Sequence, residues 1–261
     1  MAAKAQGWLA RRIRDKAARQ WLAQVDALAR RDRPTLPEIR DEAAELHRTL
    51  TRFLQMSDAR LPRGGDRADL ATLPPGTDWH WRPLMLRGRI TPAAMAAPRN
   101  GQRLGDEVAL FHDCPHQALI LRQHRNRRAT DLSPYGLTLE MLGFSGSYLS
   151  LSLDLPDALR DELGPHHVLR LDTVLQAERA ITVYGRLNIT QGPNTETMLR
   201  QLGDPIEGRD CPRSVEFDLA YLDLTHRPID KVWIDLIFEA PYMNAVTLSD
   251  AMLSRHPRAQ M

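Results

Sequence analysis

The sequence predicts a mainly β protein, an antiparallel β-sandwich of jelly-roll type that follows an N-terminal α-helical hairpin. From about Asp78 onward, apolar and polar residues alternate with a period of two in short segments, which is typical of strands with one buried face. Before that point apolar residues recur every three or four positions, as in an amphipathic helix. We therefore expect a basic helical hairpin at residues 1–58, a linker at 59–77 and the sandwich at 78–261.

The hairpin prediction depends on two apolar stripes. The stripe of the first predicted helix, at residues 4–30, consists of Leu9, Ile13, Ala17, Trp21, Val25 and Leu28. The second helix is predicted to begin near Thr35, which has the capping-box spacing to Glu38. Its stripe consists of Ile39, Ala43, Leu46, Leu50 and Phe53, at the spacing of a short coiled-coil seam. Only a few residues connect the helices, so an antiparallel pair is expected.

About nine strands are predicted after the linker, which is marked by its proline and glycine content. The clearest are 148–155, 181–189, 215–221 and 232–238. The shorter ones are 107–112, 118–123, 137–142, 168–174 and 246–248. Turn signals such as Asn100-Gly101 and Gly192-Pro193 separate them. Many short strands without intervening helical repeats indicate a sandwich or jelly roll.

Charge is distributed unevenly, although the formal net charge is only +2. Residues 1–33 carry nine cations and three aspartates, hence 9 − 3 = +6, so the remaining chain carries 2 − 6 = −4. A basic segment of this kind indicates an anionic surface or partner as one possibility. There is no apolar signal region and no run of 18 apolar residues, so the expected location is the cytoplasm.

Motifs for catalysis and cofactor binding are missing from the sequence. Neither a phosphate-binding loop nor a dinucleotide fingerprint is present, and Ser145 does not lie in a G-x-S-x-G elbow. His112, Cys114 and His116 alternate as metal ligands on a strand could, but Pro115 interrupts them and no second ligand cluster follows. We predict no metal and no cofactor.

One polar strand face is the candidate ligand-binding surface. Its residues come from three predicted strands: Tyr184, Arg186, Asn188, Glu216, Asp218, Asp235 and Glu239. A mixture of carboxylates, an arginine, an amide and an aromatic ring is suited to sugars. The same residues also fit the ordinary solvated side of a sandwich. Glu216 or Asp218 with Glu239 would be the carboxylate pair of a glycosidase.

Three stretches carry a resemblance to a known family: Gly101–Cys114, Gly143–Pro156 and Val232–Gln260. They resemble a bacterial family that carries a domain of unknown function, over roughly Trp79 to the C-terminus. This family has no assigned activity, so the resemblance implies no catalytic residues. At the level of the fold alone, the terminal strands also look like carbohydrate-binding jelly rolls.

The sequence favours a binding or scaffold protein over an enzyme. In this interpretation the sandwich recognises a ligand, either a saccharide or a protein partner. The hairpin either forms a homo-oligomer or docks to an anionic surface. Two alternatives stay open: a carbohydrate-active enzyme with paired carboxylates on the sheet face, and a structural protein whose sandwich packs into a larger assembly.

Overall fold

The alternating segments form two antiparallel sheets that pack face to face, so the predicted sandwich is confirmed. The computed structural model describes residues 2–28, 36–60, 73–224 and 227–258. The chain divides into two compact units, Met1–Leu50 and Thr51–Met261. Within the described residues no helix is long and apolar enough to cross a membrane.

In the part of the chain that the structure describes, sheet I has seven strands. Six of them follow the spatial order β11-β8-β13-β6-β5-β2, and β1 pairs with the second half of β13. Their bounds are β1 (Trp79–Trp81), β2 (Ala94–Ala96), β5 (Leu119–Arg125), β6 (Tyr135–Leu142), β8 (His167–Ile181), β11 (Ile206–Asp218) and β13 (Met243–Pro257).

Sheet II, among the described residues, has six strands in the order β10-β9-β12-β7-β4-β3. Their bounds are β3 (Gln102–Leu104), β4 (Val108–His112), β7 (Leu149–Asp154), β9 (Val183–Gln191), β10 (Asn194–Gln201) and β12 (Lys231–Phe238). All strand pairs in both sheets are antiparallel.

The core lies between the sheets and is built from the residues that alternate inward. Leu149, Leu151 and Leu153 of β7 point into it, as the sequence predicts, and so does Ile234 of β12. The fully buried Phe217 contributes from sheet I. Because each strand gives every second side chain to this core, the remaining side chains form the two outer faces of the sandwich.

Two predicted strands end differently in the structure. The segment 181–189 is broken at Thr182, where the chain leaves β8 in sheet I and enters β9 in sheet II. The segment 215–221 ends at Asp218, because its side chain accepts a hydrogen bond from the Ala220 amide and caps the 3₁₀ turn Leu219–Tyr221. Tyr221 is therefore exposed and is not part of an apolar strand face.

A short segment before β2 is fastened to sheet I by polar contacts. It contains α3 (Leu84–Arg87), whose Met85 is buried. The Gln123 side chain donates to the Met85 and Gly88 carbonyls, at 2.6 and 2.8 Å. Arg82 and Asp250 form a buried ion pair, with 2.8 Å between Nε and Oδ1. Asp250 follows a register shift in β13.

Two helices make up most of the N-terminal unit. The first, α1, spans Ala2–Leu28, and the second, α2, spans Leu36–Arg60. Their connection, including the capping residue predicted at Thr35, lies outside the described residues, as does most of the predicted linker.

Candidate functional site

A wide groove crosses the outer face of sheet I. It has a volume of about 910 Å³ and is lined by residues of β5, β6, β13, β8 and β11. Cavities that hold small ligands occupy roughly 300–1,000 Å³, so this groove has the size of a binding site. We call it the sheet I groove. It is partly open to solvent.

The floor of the sheet I groove is set by strand register. Arg122, Thr138, Thr247 and Gln176 lie in one row, directly opposite one another on β5, β6, β13 and β8. The two threonine hydroxyls, both buried, are 2.9 Å apart. Short threonines in the middle of the row leave a depression between the longer side chains of Arg122 and Gln176. The groove thus has a hydroxyl-lined floor with longer polar side chains at its sides.

His124 lies at one side of this floor. Its Nδ1 is 3.2 Å from the Thr138 hydroxyl. Burial lowers the pKa of His124, and the neighbouring Arg122 guanidinium lowers it further, so the neutral imidazole is favoured at pH 7. The residue opposite His124 is Gly136, and a Cβ atom there would lie 2.8 Å from the imidazole Cε1. Glycine at this position therefore gives the ring its space.

The charges that line the groove balance. Two cations, Arg122 and Arg209, accompany two anions, Glu140 and Glu178. Arg122 and Glu140 form an ion pair with 2.7 Å between Nε and Oε1. With a neutral His124, the formal charge of the lining is zero. The groove therefore offers hydrogen-bond donors and acceptors of both kinds without attracting one sign of charge.

An irregular stretch of β11 forms one wall. The register against β8 shifts on both sides of Gly208, which has φ +75°, and Asp210 has φ +54°. Gly208 and Arg209 line the groove. Bulges bend a strand and change the direction of its side chains, and they are common beside functional sites. Here the bulge carries Arg209 at the groove wall and Asp210 at the next position.

The groove is apolar at the end where β6 finishes and β13 begins. Leu142 and Met243 lie opposite each other on β6 and β13, and both line the groove and are exposed. Tyr242, which precedes Met243, is 70% exposed. Large apolar side chains left in solvent next to a polar groove are a feature of binding surfaces.

A smaller cavity of about 400 Å³ lies on the same face. Val174, Pro212 and Ser249 are among its lining residues. The loop between β5 and β6 reaches across the sheet at this point, because Arg128 in this loop binds Asp210 of β11. Asp210 lines the smaller cavity, and its neighbour Arg209 lines the sheet I groove. The contact between Arg128 and Asp210 therefore lies between the smaller cavity and the groove.

Five of the seven residues predicted from the sequence lie together, but on sheet II. Arg186 and Asp235 are directly opposite each other on β9 and β12, with 2.8 Å between Nη2 and Oδ2. The same Oδ2 accepts a hydrogen bond from Asn188 Nδ2 at 2.9 Å. Tyr184 donates to Glu239 Oε2 at 3.4 Å. We call these five residues the sheet II cluster.

The sheet II cluster is largely satisfied by its own contacts. The Asp235 side chain is only 4% exposed, and Asn188 is also buried. Asp235 Oδ2 already accepts from Arg186 and from Asn188. A carboxylate engaged in this way contributes to holding β9 and β12 together, and it has little free capacity for a ligand.

The other two predicted residues, Glu216 and Asp218, lie on β11 in sheet I. Asp218 accepts from Arg258 Nε at 2.8 Å. The carboxylate pair considered for a glycosidase, Glu216 or Asp218 with Glu239, is thus divided between the two sheets, since Glu239 directly follows β12. The reason is that the chain passes from β10 in sheet II to β11 in sheet I and returns to sheet II at β12.

His112 occupies a hydrogen-bonded core position. Its Nδ1 accepts from the Cys114 amide at 3.2 Å, so Nε2 carries the proton that is donated to the Pro98 carbonyl at 2.9 Å. His116 is exposed. No cluster of three His, Cys, Asp or Glu side chains with metal-site geometry occurs in the parts of the chain that the structure describes.

Sequence reasoning missed the lining of the sheet I groove. Some of the strands that line the groove were predicted. The pairing register of the strands decides which polar residues share a row, and this register cannot be read from the sequence. The available signal was the polar alternation of Thr138 and Glu140 between the buried Leu137, Leu139 and Met141. It resembles the alternation on every half-exposed strand, and this is why it did not stand out.

The fold and the groove define the class of this protein, an antiparallel β-sandwich with a polar groove on one outer face. The chain belongs to the family of unknown function DUF6478, whose model matches residues 1–261. The family resemblance expected from Trp79 onward is confirmed and extends over the helices as well. No curated protein is significantly similar to the chain in sequence.

Several solved structures are similar in fold. The xylan-binding domain CBM22-1 of Paenibacillus barcinonensis Xyn10C has 7% identity and a TM-score of 0.38, over 64% of this chain and 94% of that chain. A family 11 carbohydrate-binding module from Clostridium thermocellum has 10% identity and a TM-score of 0.37, over 62% and 94%. The active domain of bacteriophage CBA120 tailspike protein 4 has 7% identity and a TM-score of 0.38, over 59% of this chain and 20% of that one. Similarities this distant give no information about the ligand or the activity of this chain.

Proposed function

We propose that the sandwich is a saccharide-binding module and that the sheet I groove receives a neutral, hydroxyl-rich chain. The observation that carries this proposal is the groove itself, about 910 Å³ in volume, partly open to solvent and lined by polar residues of five strands. An extended ligand can pass through an open groove without having its ends enclosed. In the sheet II cluster, by contrast, the central carboxylate of Asp235 is buried and already accepts hydrogen bonds from Arg186 and Asn188.

The chemistry of the groove fits sugar hydroxyls. A hydroxyl both donates and accepts a hydrogen bond, so it can pair with the amide of Gln176, the carboxylate of Glu178 and the guanidinium of Arg209. The exposed Leu142 and Met243 at one end suit the apolar face of a sugar ring. A saccharide presents both kinds of surface within a few ångströms of each other.

The balance of charge favours a neutral saccharide over a polyanion. Ligands rich in carboxylate or phosphate are held by excess Arg and Lys. In the groove, Glu140 already pairs with Arg122, and Glu178 offsets Arg209. We therefore expect no preference for acidic polysaccharides.

Affinity electrophoresis and titration calorimetry with soluble polysaccharides test the proposal. The probes are a neutral glucan, a neutral galactomannan and the acidic polygalacturonate. We expect one of the neutral polymers to bind, and binding to weaken at least about tenfold when Gln176 and Glu178 are both changed to alanine, since each removes a hydrogen bond to the ligand. The polygalacturonate should not be retarded.

A matched variant on the other outer face is the control. Changing Gln201 and Glu239 to alanine removes the same two side-chain types from the sheet II side, and binding should be unchanged. Failure of the wild-type protein to bind any of the polymers, or an equal loss in both double variants, contradicts the proposal. Release of new reducing ends from a bound polymer would instead make the protein a glycosidase.

A further inference from the structure

Among the described strands, β10 is the least protected edge of the sandwich. Sheet edges carry unpaired backbone groups, and proteins usually protect them with short strands, bulges or proline. Strands β1, β2 and β3 have only three residues each. Edge strand β11 contains the bulge at Gly208 and also Pro212. Strand β10 has eight residues without proline, and its register against β9 has no shift.

The outer edge of β10 has no strand beside it. Within the described residues, β10 pairs with β9 alone. Just after β10, the Leu202 amide donates to the Val183 carbonyl at 2.9 Å. Backbone groups along an antiparallel strand bond to its two sides alternately. The even-numbered residues of β10 therefore bond to β9, and the odd-numbered ones point away from it. These are Thr195, Thr197, Leu199 and Gln201.

The free edge of β10 is open to solvent. All four of its odd-numbered residues are exposed. The Leu199 carbonyl accepts a hydrogen bond from Nη1 of the neighbouring Arg200 at 3.0 Å, so a side chain of the same strand occupies one place on this edge. The described residues include no backbone partner for it. An extended segment can add to such an edge as a further strand.

The charges of β10 are arranged symmetrically about its middle. Glu196 lies two residues before Met198, and Arg200 lies two residues after it. Their side chains leave the strand on the same side, because they occupy alternate positions. A second β10 that runs antiparallel about Met198 would bring Glu196 of each copy opposite Arg200 of the other. Opposite charges at directly opposed positions stabilise a strand pair. The strand is thus complementary to itself.

We propose that β10 pairs with the β10 of a second copy of the chain, antiparallel and centred on Met198. Thr197 then lies opposite Leu199 of the other copy, and Thr195 lies opposite Gln201. The residues that exchange hydrogen bonds in this register are the odd-numbered ones, whose backbone groups point away from β9. The pair is two-fold symmetric, so each contact occurs twice. Sheet II continues from one copy into the other.

Charge selects this register over its neighbours. Pairs centred on Thr197 or on Leu199 would keep the backbone hydrogen bonds but would no longer place Glu196 opposite Arg200. Charge also favours a second copy over an extended peptide of another protein. A peptide needs a complementary pattern of its own, whereas β10 already carries the symmetry that a two-fold pair requires.

Sedimentation equilibrium of the full chain over a range of concentrations tests this inference. The contact is small, so we expect a weak association in which the mass rises from one chain to two with concentration. E196K brings cations opposite each other, and R200E brings anions opposite each other. Each variant should raise the dissociation constant at least about tenfold. An equimolar mixture of the two variants should associate, and so should the double variant E196K/R200E, because both restore opposite charges.

Two further variants separate the edge from the rest of the chain. T197P removes an amide that points away from β9, and proline is tolerated at such a position. The two-chain mass should disappear in T197P, while the melting temperature of the sandwich stays close to that of the wild-type protein. R99E reverses an exposed charge beside β3, at the opposite edge of sheet II, and should leave the association unchanged.

Amide hydrogen exchange followed by NMR identifies the surface that associates. The amides of Thr195, Thr197, Leu199 and Gln201 should exchange more slowly as the concentration rises. A wild-type protein with the mass of one chain at every concentration up to about 1 mM overturns the inference. A two-chain mass without protection of these amides overturns it too, because another surface would hold the copies. If the protein stays one chain but a synthetic peptide of residues 194–201 protects the same amides, the edge receives a peptide and not a second copy.

Discussion

Arg128 and Asp210 form a two-pronged ion pair that fastens the loop between β5 and β6 to edge strand β11. The distances from Nη1 to Oδ2 and from Nη2 to Oδ1 are 2.5 and 2.6 Å. Asp210 reaches this position because it lies in the β11 bulge with a left-handed backbone, φ +54°. Asp131, in the same loop as Arg128, holds the other side of the guanidinium at 3.2 Å. The bulge thus positions Asp210 to hold the loop between β5 and β6, which crosses the sheet beside the groove.

We predict that D210N loosens this loop without unfolding the sandwich. Asparagine tolerates the left-handed backbone nearly as well as aspartate, so the change removes the charge and little else. Deuterium uptake of residues 126–134 should rise in hydrogen-exchange mass spectrometry. The melting temperature should hardly move, because both partners are exposed and such pairs contribute little to stability.

The control for D210N is E216Q, which neutralises an exposed carboxylate farther along the same strand. Its uptake in residues 126–134 should match that of the wild-type protein. Arg128 lowers the pKa of Asp210, so in the wild-type protein the loop should stay protected down to pH values below the ordinary carboxyl range near 3.8. Unchanged uptake in D210N would mean that other contacts position the loop.

Glu107 gives the sandwich a pH-dependent stability. Burial raises the pKa of this carboxyl to about 7, more than the hydrogen bonds from the Leu84 and Met85 amides lower it, and the charges of Asp106 and Asp154 raise it further. The folded pKa is above the unfolded value near 4.5. The stabilisation from the protonated form is therefore complete below pH 4.5 and is lost as the pH rises through about 7.

We predict that E107Q becomes more stable relative to the wild-type protein as the pH rises from 5 to 8. Glutamine keeps an oxygen for the Leu84 amide, 2.7 Å from the carboxylate oxygen, and never ionises. The change in relative free energy of unfolding should be on the order of 2 kcal/mol, measured by urea denaturation. E216Q, which changes an exposed carboxylate of β11 in the other sheet, should show no such trend. A constant difference across this pH range would mean that Glu107 titrates normally.

Individual strands and their inward faces were predictable, because alternation over six to eight residues depends on burial alone. The leucines of β7 and the apolar residues of β12 illustrate this. The grouping of polar residues was not predictable in full. Arg186 and Asp235 meet because β9 and β12 pair in one particular register, and Thr138 meets Thr247 for the same reason. The pairing register depends on the whole sheet. The sequence could therefore indicate which strand faces are polar, but it could not show which residues lie beside one another on them.

The switch of sheets at Thr182 was not predictable from the sequence. The residues on both sides of Thr182, Ile181 and Val183, are apolar and buried, so the pattern of two continues through the corner. Nothing in that pattern reveals that Ile181 ends a strand of one sheet and Val183 begins a strand of the other. The crossing from β10 in sheet II to β11 in sheet I is equally hidden, so Glu216 and Asp218 were grouped with Tyr184 and Arg186, although they belong to different sheets.

We predict that D235A reduces stability and leaves saccharide binding unchanged. The change removes the carboxylate oxygen that accepts hydrogen bonds from both Arg186 and Asn188. The buried Asn188 then lacks one of its hydrogen-bond acceptors. A loss of about 2–4 kcal/mol in the free energy of unfolding is expected from such a deletion. E239A removes an exposed carboxylate from the same cluster, so it should cost no more than about 0.5 kcal/mol. Urea denaturation measures both variants, and affinity electrophoresis measures their binding. If D235A abolished binding at unchanged stability, the ligand would have to occupy the outer face of sheet II, because the groove on sheet I would still be intact.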